Sequence, residues 1–194
     1  MKSSELKNAI YIGEVIKNPK PYSGKRHVKW SHSLKLKWDE NLEKGLKNQE
    51  LGWVYFIVVD GEVVKIGQTS AKNGICGCIN FYMKAGQDDP RDNRWTINYL
   101  MRECLTAGKK VEFYAQHAAR VSAPVKSITG VTMMEVPVSA KGMERACIEE
   151  YAKVHSCYPN WNFQESGRRA PKDILTEYNE YIAKRLKEKN ENAN

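Results

Sequence analysis

The chain has 194 residues and carries 31 Lys+Arg against 23 Asp+Glu, a formal net charge of +8. That length suits one core with terminal extensions and is short for two independent cores. The charge favours a polyanionic partner, nucleic acid or an acidic membrane surface, without choosing between them. No apolar run reaches the ~18 residues of a membrane span, and Met1 to Ile10 is too polar for a signal peptide, so a cytosolic protein is expected. The five cysteines (Cys76, Cys78, Cys104, Cys147, Cys157) are an odd number without an export signal and read as reduced thiols. Cys76 and Cys78 have no second Cys/His pair nearby to complete a structural zinc site.

In chain order, Lys17 to Trp38 is an aromatic-rich basic arm containing Lys25, Arg26 and Lys29. It leads into a strand in which Leu34, Leu36 and Trp38 alternate with Lys35 and Lys37. The cationic face of that strand either tracks phosphates or keeps a solvated edge from aggregating. Asp39 can cap a short helix through Leu42 and Leu46, ending near Gly52. Two β-rich runs then flank Asp60-Gly61, a strong hairpin signal. Helices are predicted over Gly74 to Lys84 and Trp95 to Thr106, a third strand over Lys110 to His117, and a shorter extended run over Val131 to Val136. Ser139 is placed to cap a helix reaching His155, closed by the turn Cys157 to Asn162. After a linker from Glu165 to Pro171, Ile174, Tyr178, Tyr181, Ile182 and Leu186 recur at helical spacing. That last helix docks on the domain or pairs with a second subunit, and docking is the simpler reading.

The order hairpin, helix, helix, strand, then a helix bearing a glutamate and a trailing asparagine resembles the GIY-YIG nuclease domain over Gly52 to Asn162. The first motif stands as Val54-Tyr55-Phe56 and the second as Lys65-Ile66-Gly67. A lysine in the second motif, with a basic N-terminal extension, is most similar to the small type II restriction endonucleases of that group. The resemblance implies an α+β fold, with a small, mainly antiparallel, three-stranded central sheet flanked by helices. The corresponding division is a basic arm with a short helix (residues 1–51), a catalytic domain (52–164) and a C-terminal linker and helix (165–194). It further implies hydrolysis of double-stranded DNA with Mg²⁺ or Mn²⁺, and a homodimer with one site per strand.

The motif residues set a geometric condition, since Tyr55 and Lys65 can cooperate only from one face of the sheet. A two-residue loop at Asp60-Gly61 would pair Tyr55 with Ile66 and send Lys65 to the opposite face. A three-residue loop, Val59 to Gly61, pairs Val58 with Glu62 and sets Tyr55 opposite Lys65. The expected register is the second. The ammonium would then favour the phenolate and draw the tyrosine down from its usual pKa of about 10, fitting Tyr55 to deprotonate water.

The resemblance assigns Glu144 to the metal. On the helical wheel, Glu144 falls within the apolar stripe of Met143, Cys147, Ile148, Tyr151 and Val154, whereas Glu149 projects to water. By the same resemblance, Gln68 helps hold phosphate or water, Tyr82 hydrogen-bonds in the site, and Asn162 closes the motif set. An Asx-turn is the other reading of Asn162. Where the family carries the arginine that grips the scissile phosphate, one turn before Tyr82, this chain has Cys78. A thiol lacks the charged fork of a guanidinium, which lowers the expected activity unless Arg91, Arg94 or Arg102 reaches the site. Arg91 and Arg94 also stand with Lys25, Arg26, Lys29, Lys35 and Lys37 as candidate DNA contacts. The alternatives are a DNA-binding module that has lost hydrolysis, and a homing or repair nuclease.

Overall fold

The structure, a computed structural model, describes residues 1–19, 34–42, 52–84, 92–118, 120–168, 172–174, 176, 179–180, 183, 187 and 191. Side chains at positions 92–94, 120, 127 and 137 are not described. Lys25, Arg26, Lys29, Arg91, Tyr178, Tyr181, Ile182 and Leu186 lie outside the described residues, as does most of the helix expected after Asp39. What is described there is a turn, with Asn41 N–H donating to Asp39 Oδ1 at 3.1 Å.

The fold is α+β, and its main sheet has five strands rather than the expected three. The order is β2-β1-β5-β3-β4, with every neighbouring pair antiparallel. The strands are β1 (Ile10–Lys17), β2 (Leu34–Trp38), β3 (Trp53–Val59), β4 (Glu62–Thr69) and β5 (Val111–His117). Two stretches of the N-terminal segment, β1 and β2, therefore belong to the sheet. Leu34 and Leu36 are buried and Lys35 and Lys37 exposed, as the alternation requires. β1 escaped notice because its ladder shifts between Tyr11 and Gly13. Ile12 and Val15 consequently reach the same core from positions three apart, and period-2 alternation is broken.

Helices α1 (Gly74–Met83) and α2 (Asp92–Thr106) cover one face of the sheet. Ile75, Ile79, Tyr82, Met83, Ile97 and Met101 there join Tyr55, Ile57 and Phe113 in a buried cluster. Helix α3 (Ala140–His155) covers the other face near β3 and β4, setting Ile148 and Tyr151 against Val54, Phe56, Val58, Val63 and Ile66. Ser139 caps α3 by accepting from Gly142 N–H at 3.0 Å. Val154, placed on the apolar stripe by the wheel, is instead 62% exposed. β3, covered on both faces, is buried along its whole length, which its unbroken run WVYFIVV anticipates.

The remaining elements are a 3-10 turn (Ser3–Glu5), a separate hairpin of β6 (Arg120–Ser127) and β7 (Gly130–Pro137), and a short helix α4 (Phe163–Ser166) that overlaps the start of the stretch expected as linker, Glu165 to Pro171. β6 was not foreseen, since Pro124 interrupts a polar run with little apolar pattern. Ile174 of the last segment is 1% exposed. Among the described residues no helix is long and apolar enough to cross a membrane.

The β3–β4 turn departs from the expected register. It is the two-residue loop Asp60-Gly61, both with positive φ (48° and 82°), closing Val59 against Glu62. This is the left-handed pair that a tight hairpin demands, and Gly61 adopts it without a Cβ penalty. The ladder then shifts between Ile57 and Val58, so that Lys65 pairs with Ile57 and Tyr55 with Gly67. Val64 is the extra residue of the bulge. An unbulged two-residue turn would have separated Tyr55 and Lys65, and the bulge returns them to one face although they are not directly opposite.

Candidate active site

The site forms at the β4 edge of the sheet, on the face covered by α1. Tyr55 rises from β3 over Gly67, where a Cβ would overlap the phenol ring and hydroxyl. From α1, Cys78 and Tyr82 approach it one turn apart on a single helix face. The Tyr55 and Tyr82 hydroxyls are 2.5 Å apart, their rings edge to face with centroids 6.0 Å apart. Tyr55 also bonds the Cys78 thiol. Behind Tyr82, Asn98 Nδ2 donates to its carbonyl at 2.7 Å, and Arg102 Nε donates to Asn98 Oδ1 at 3.2 Å. Arg102 is thus engaged on α2 with Asn98 and with the Tyr99 ring. Arg94 lies on the same helix.

These surroundings overturn the expected electrostatics of Tyr55. Burial, followed by Tyr82 and Cys78, holds its pKa well above the usual phenol value. The lysine charge falls elsewhere: Lys65 lies among Glu165, Glu144 and Cys78, and burial lowers its pKa despite those neighbours. Burial likewise pushes the Cys78 thiol up to about 12, against the opposing pull of Lys65 and Tyr55. Without substrate the phenol pair is a protonated, hydrogen-bonded unit, and Tyr55 is not poised as a base.

Glu144 reaches this edge from α3, one turn before Ile148. Its carboxylate is half-buried, accepts the Gln68 main-chain N–H and faces Lys65, and burial raises its pKa. Gln68 pairs with Val54 and so directs its side chain to the face that α3 covers, opposite Tyr55.

Asn162 is 1% exposed and acts as a clamp, beyond a local Asx-turn. Its side-chain oxygen accepts Ile66 N–H and its amide donates to Ile66 O, both at 2.9 Å. Trp161 N–H donates to Val64 O at 2.8 Å. The open edge of β4 is therefore occupied at Val64, Ile66 and Gln68 by Trp161, Asn162 and Glu144 in turn. The turn after α3 and α3 itself fix the strand carrying Lys65.

Glu165 was missed as a site residue. Asn162 Nδ2 donates to Glu165 Oε2 at 3.3 Å, and its carboxylate acts on both Lys65 and Glu144. Its spacing, three residues past the Asn162 N-cap, was the available signal. By contrast, Lys35 and Lys37 do not join the site. They project from β2 at the opposite edge of the sheet, and Lys37 pairs with Glu14 on the face away from Tyr55.

The donors suit one kind of cation. Among the described residues no group of three or more His, Cys, Asp or Glu could hold a metal ion. A half-buried carboxylate with a second nearby, open to solvent, fits Mg²⁺, which keeps several waters and takes one or two carboxylates plus phosphate oxygens.

No protein-family model matches the chain, and no curated protein matches it in sequence. Among solved structures it is similar to a mutant of bacteriophage T4 EndoII, at 22% identity and a TM-score of 0.48, over 79% of this chain and 91% of that one. It is also similar to the restriction endonuclease HPY188I in complex with product DNA, at 19% identity and a TM-score of 0.41, over 82% of this chain and 84% of that one.

Proposed function

We propose that the chain is a metal-dependent endonuclease of GIY-YIG type that hydrolyses phosphodiester bonds in duplex DNA, in the manner of a type II restriction enzyme. The observation that carries this reading is the convergence of Tyr55, Tyr82, Lys65, Cys78 and Glu144, from two strands and two helices, on the β4 edge.

Glu144 is the residue that would hold Mg²⁺ or Mn²⁺, with Glu165 beside it. When bound, the cation supplies a polarised water and neutralises charge on the departing oxygen. Lys65 places positive charge next to the scissile phosphate. Tyr55 and Tyr82, keeping their protons, orient the reactants by hydrogen bonds; Gln68 contributes its main-chain N–H to Glu144, and Asn162 holds β4 in register. Cys78 leaves the phosphate without a guanidinium grip, so turnover is slow. Cutting both strands requires two such sites, as a homodimer provides.

A second reading, a DNA-binding module that has lost hydrolysis, is favoured by the same Cys78 and by the protonated tyrosine pair. The two are separated by assaying Mg²⁺-dependent cleavage of varied duplexes by this chain, by Cys78→Arg, and by Glu144→Ala in the arginine background. Cleavage gained with Cys78→Arg and lost with Glu144→Ala supports the nuclease. Salt-sensitive DNA binding with no cleavage by any of the three supports the module.

A further inference from the structure

Helix α1 ends at Met83, one residue past Tyr82, and the carbonyls of a helix's last turn have no donor four residues on within the helix. Asn80 O is met by Lys84 N–H at 3.0 Å. Tyr82 O is met from the neighbouring helix, by Asn98 Nδ2 at 2.7 Å. Asn98 Oδ1 in turn accepts from Arg102 Nε at 3.2 Å, and the Arg102 guanidinium lies 5.2 Å from the centroid of the Tyr99 ring. Asn98 and Arg102, one turn apart on α2, are only 2% and 9% exposed.

Two buried polar side chains are costly to desolvate, and the packing of α2 does not require them. Ile97 and Met101 on the same helix already join the buried cluster that holds Tyr55 and Tyr82. A leucine at position 98 would fill the same space without a polar group to satisfy. What the amide adds is a hold on one particular backbone atom, the Tyr82 carbonyl oxygen. The Arg102 cation polarises the amide to which it donates, and a polarised amide donates more strongly from its nitrogen. At the far end of this chain the geometry is demanding. The Tyr55 and Tyr82 hydroxyls are 2.5 Å apart, and an O–H···O bond weakens beyond about 3 Å, so a drift of the α1 terminus by about 1 Å would open the pair.

We propose that Asn98, backed by Arg102, is a positioning residue of the nuclease site, holding the last turn of α1 so that the Tyr82 hydroxyl meets that of Tyr55. Arg102, a candidate to replace the guanidinium missing at Cys78, acts on the site through this chain of hydrogen bonds. The effect on catalysis rests on the nuclease reading. The hold on the phenol pair does not, and the two are tested separately.

The test uses the full chain with tyrosine isotopically labelled at Cζ, whose magnetic resonance signal responds to hydrogen bonding of the phenol. Tyr55→Phe and Tyr82→Phe each remove one signal and so assign the pair, and the Tyr55 signal in Tyr82→Phe marks the position of a broken pair. Asn98→Leu keeps the shape of the side chain and removes its donor and acceptor. It should move the Tyr55 signal most of the way to that position. Asn98→Leu with Arg102→Met removes the whole chain of bonds, leaves no buried cation without its partner, and should move the signal likewise. In the Cys78→Arg background, with duplex DNA and Mg²⁺, Asn98→Leu should lower kcat at least about tenfold with KM unchanged. An unmoved Tyr55 signal in folded Asn98→Leu overturns the proposal, and where that variant does not fold, an unmoved signal in the double variant does so. An undiminished kcat overturns the catalytic role. Absence of cleavage by Cys78→Arg itself overturns the nuclease reading alone, and the Tyr55 signal then decides whether Asn98 holds the pair.

Discussion

Tyr55 stands directly opposite Gly67 in the β3–β4 ladder, with its phenol lying where a Gly67 Cβ would be. The glycine of the second motif is thus a seat for the tyrosine of the first. Gly67→Ala would push the ring off β4 and away from Tyr82. Overpacking of this kind costs about 1–3 kcal/mol, and urea denaturation should show it as a lower midpoint at unchanged slope. Tyr82→Ala in the same background should recover part of the loss by making room for the displaced ring.

The two phenols are each other's partner at 2.5 Å in a buried site. Tyr82→Phe therefore takes one partner from the Tyr55 hydroxyl, and Tyr55→Phe one from that of Tyr82, each at about 0.5–1.5 kcal/mol. The double phenylalanine variant removes both polar groups. Its destabilisation should fall short of the sum of the two single changes, and a double-mutant cycle in chemical denaturation measures the difference. Strict additivity would mean that the hydroxyls do not interact in solution.

Asn162 pairs with both backbone groups of Ile66. Asn162→Asp keeps an acceptor for Ile66 N–H but sets a carboxylate oxygen against Ile66 O, where the amide had donated. Each buried group left unsatisfied costs about 1–3 kcal/mol. Asn162→Asp should destabilise the chain, and amide exchange should quicken at Ile66 before it does in β5. Uniform protection across both strands would contradict the clamp.

Much of this architecture was legible in the residues. The unbroken apolar run of β3, the Ser139 cap and the alternation of Leu34 and Leu36 with Lys35 and Lys37 each express a local rule, and each element formed where the rule placed it. What escaped was set by register and neighbours. The bulge at Val64 satisfies the condition that Tyr55 and Lys65 share a face, by a route that counting loop residues does not reveal. The placing of Lys65 near Glu144 and Glu165 depends on α3 and α4 meeting the free edge of β4, a long-range contact absent from the motif itself. Because Tyr55 is buried with Tyr82 and Cys78, desolvation decides its protonation, and a charge argument drawn from the strand pair alone gave the opposite sign.

Cys78 carries the clearest pH signature. Its thiol is pushed from 9.0 up to about 12, burial being the main cause. The folded pKa thus lies above the unfolded one, and the native state holds the proton more tightly. The resulting stability is fully present below about pH 9 and is lost as pH rises through about 12. Denaturation midpoints should fall over that window in the native chain and fall less in Cys78→Ala, once the shared titration of lysines and tyrosines is subtracted. Reactivity supplies an independent check, because the thiolate is the nucleophile. At mildly alkaline pH an alkylating reagent should modify exposed Cys157 faster than half-buried Cys78, whose thiolate is the scarcer. Alkylation of Cys78 as fast as Cys157 would show that the thiol is neither buried nor held by Tyr55.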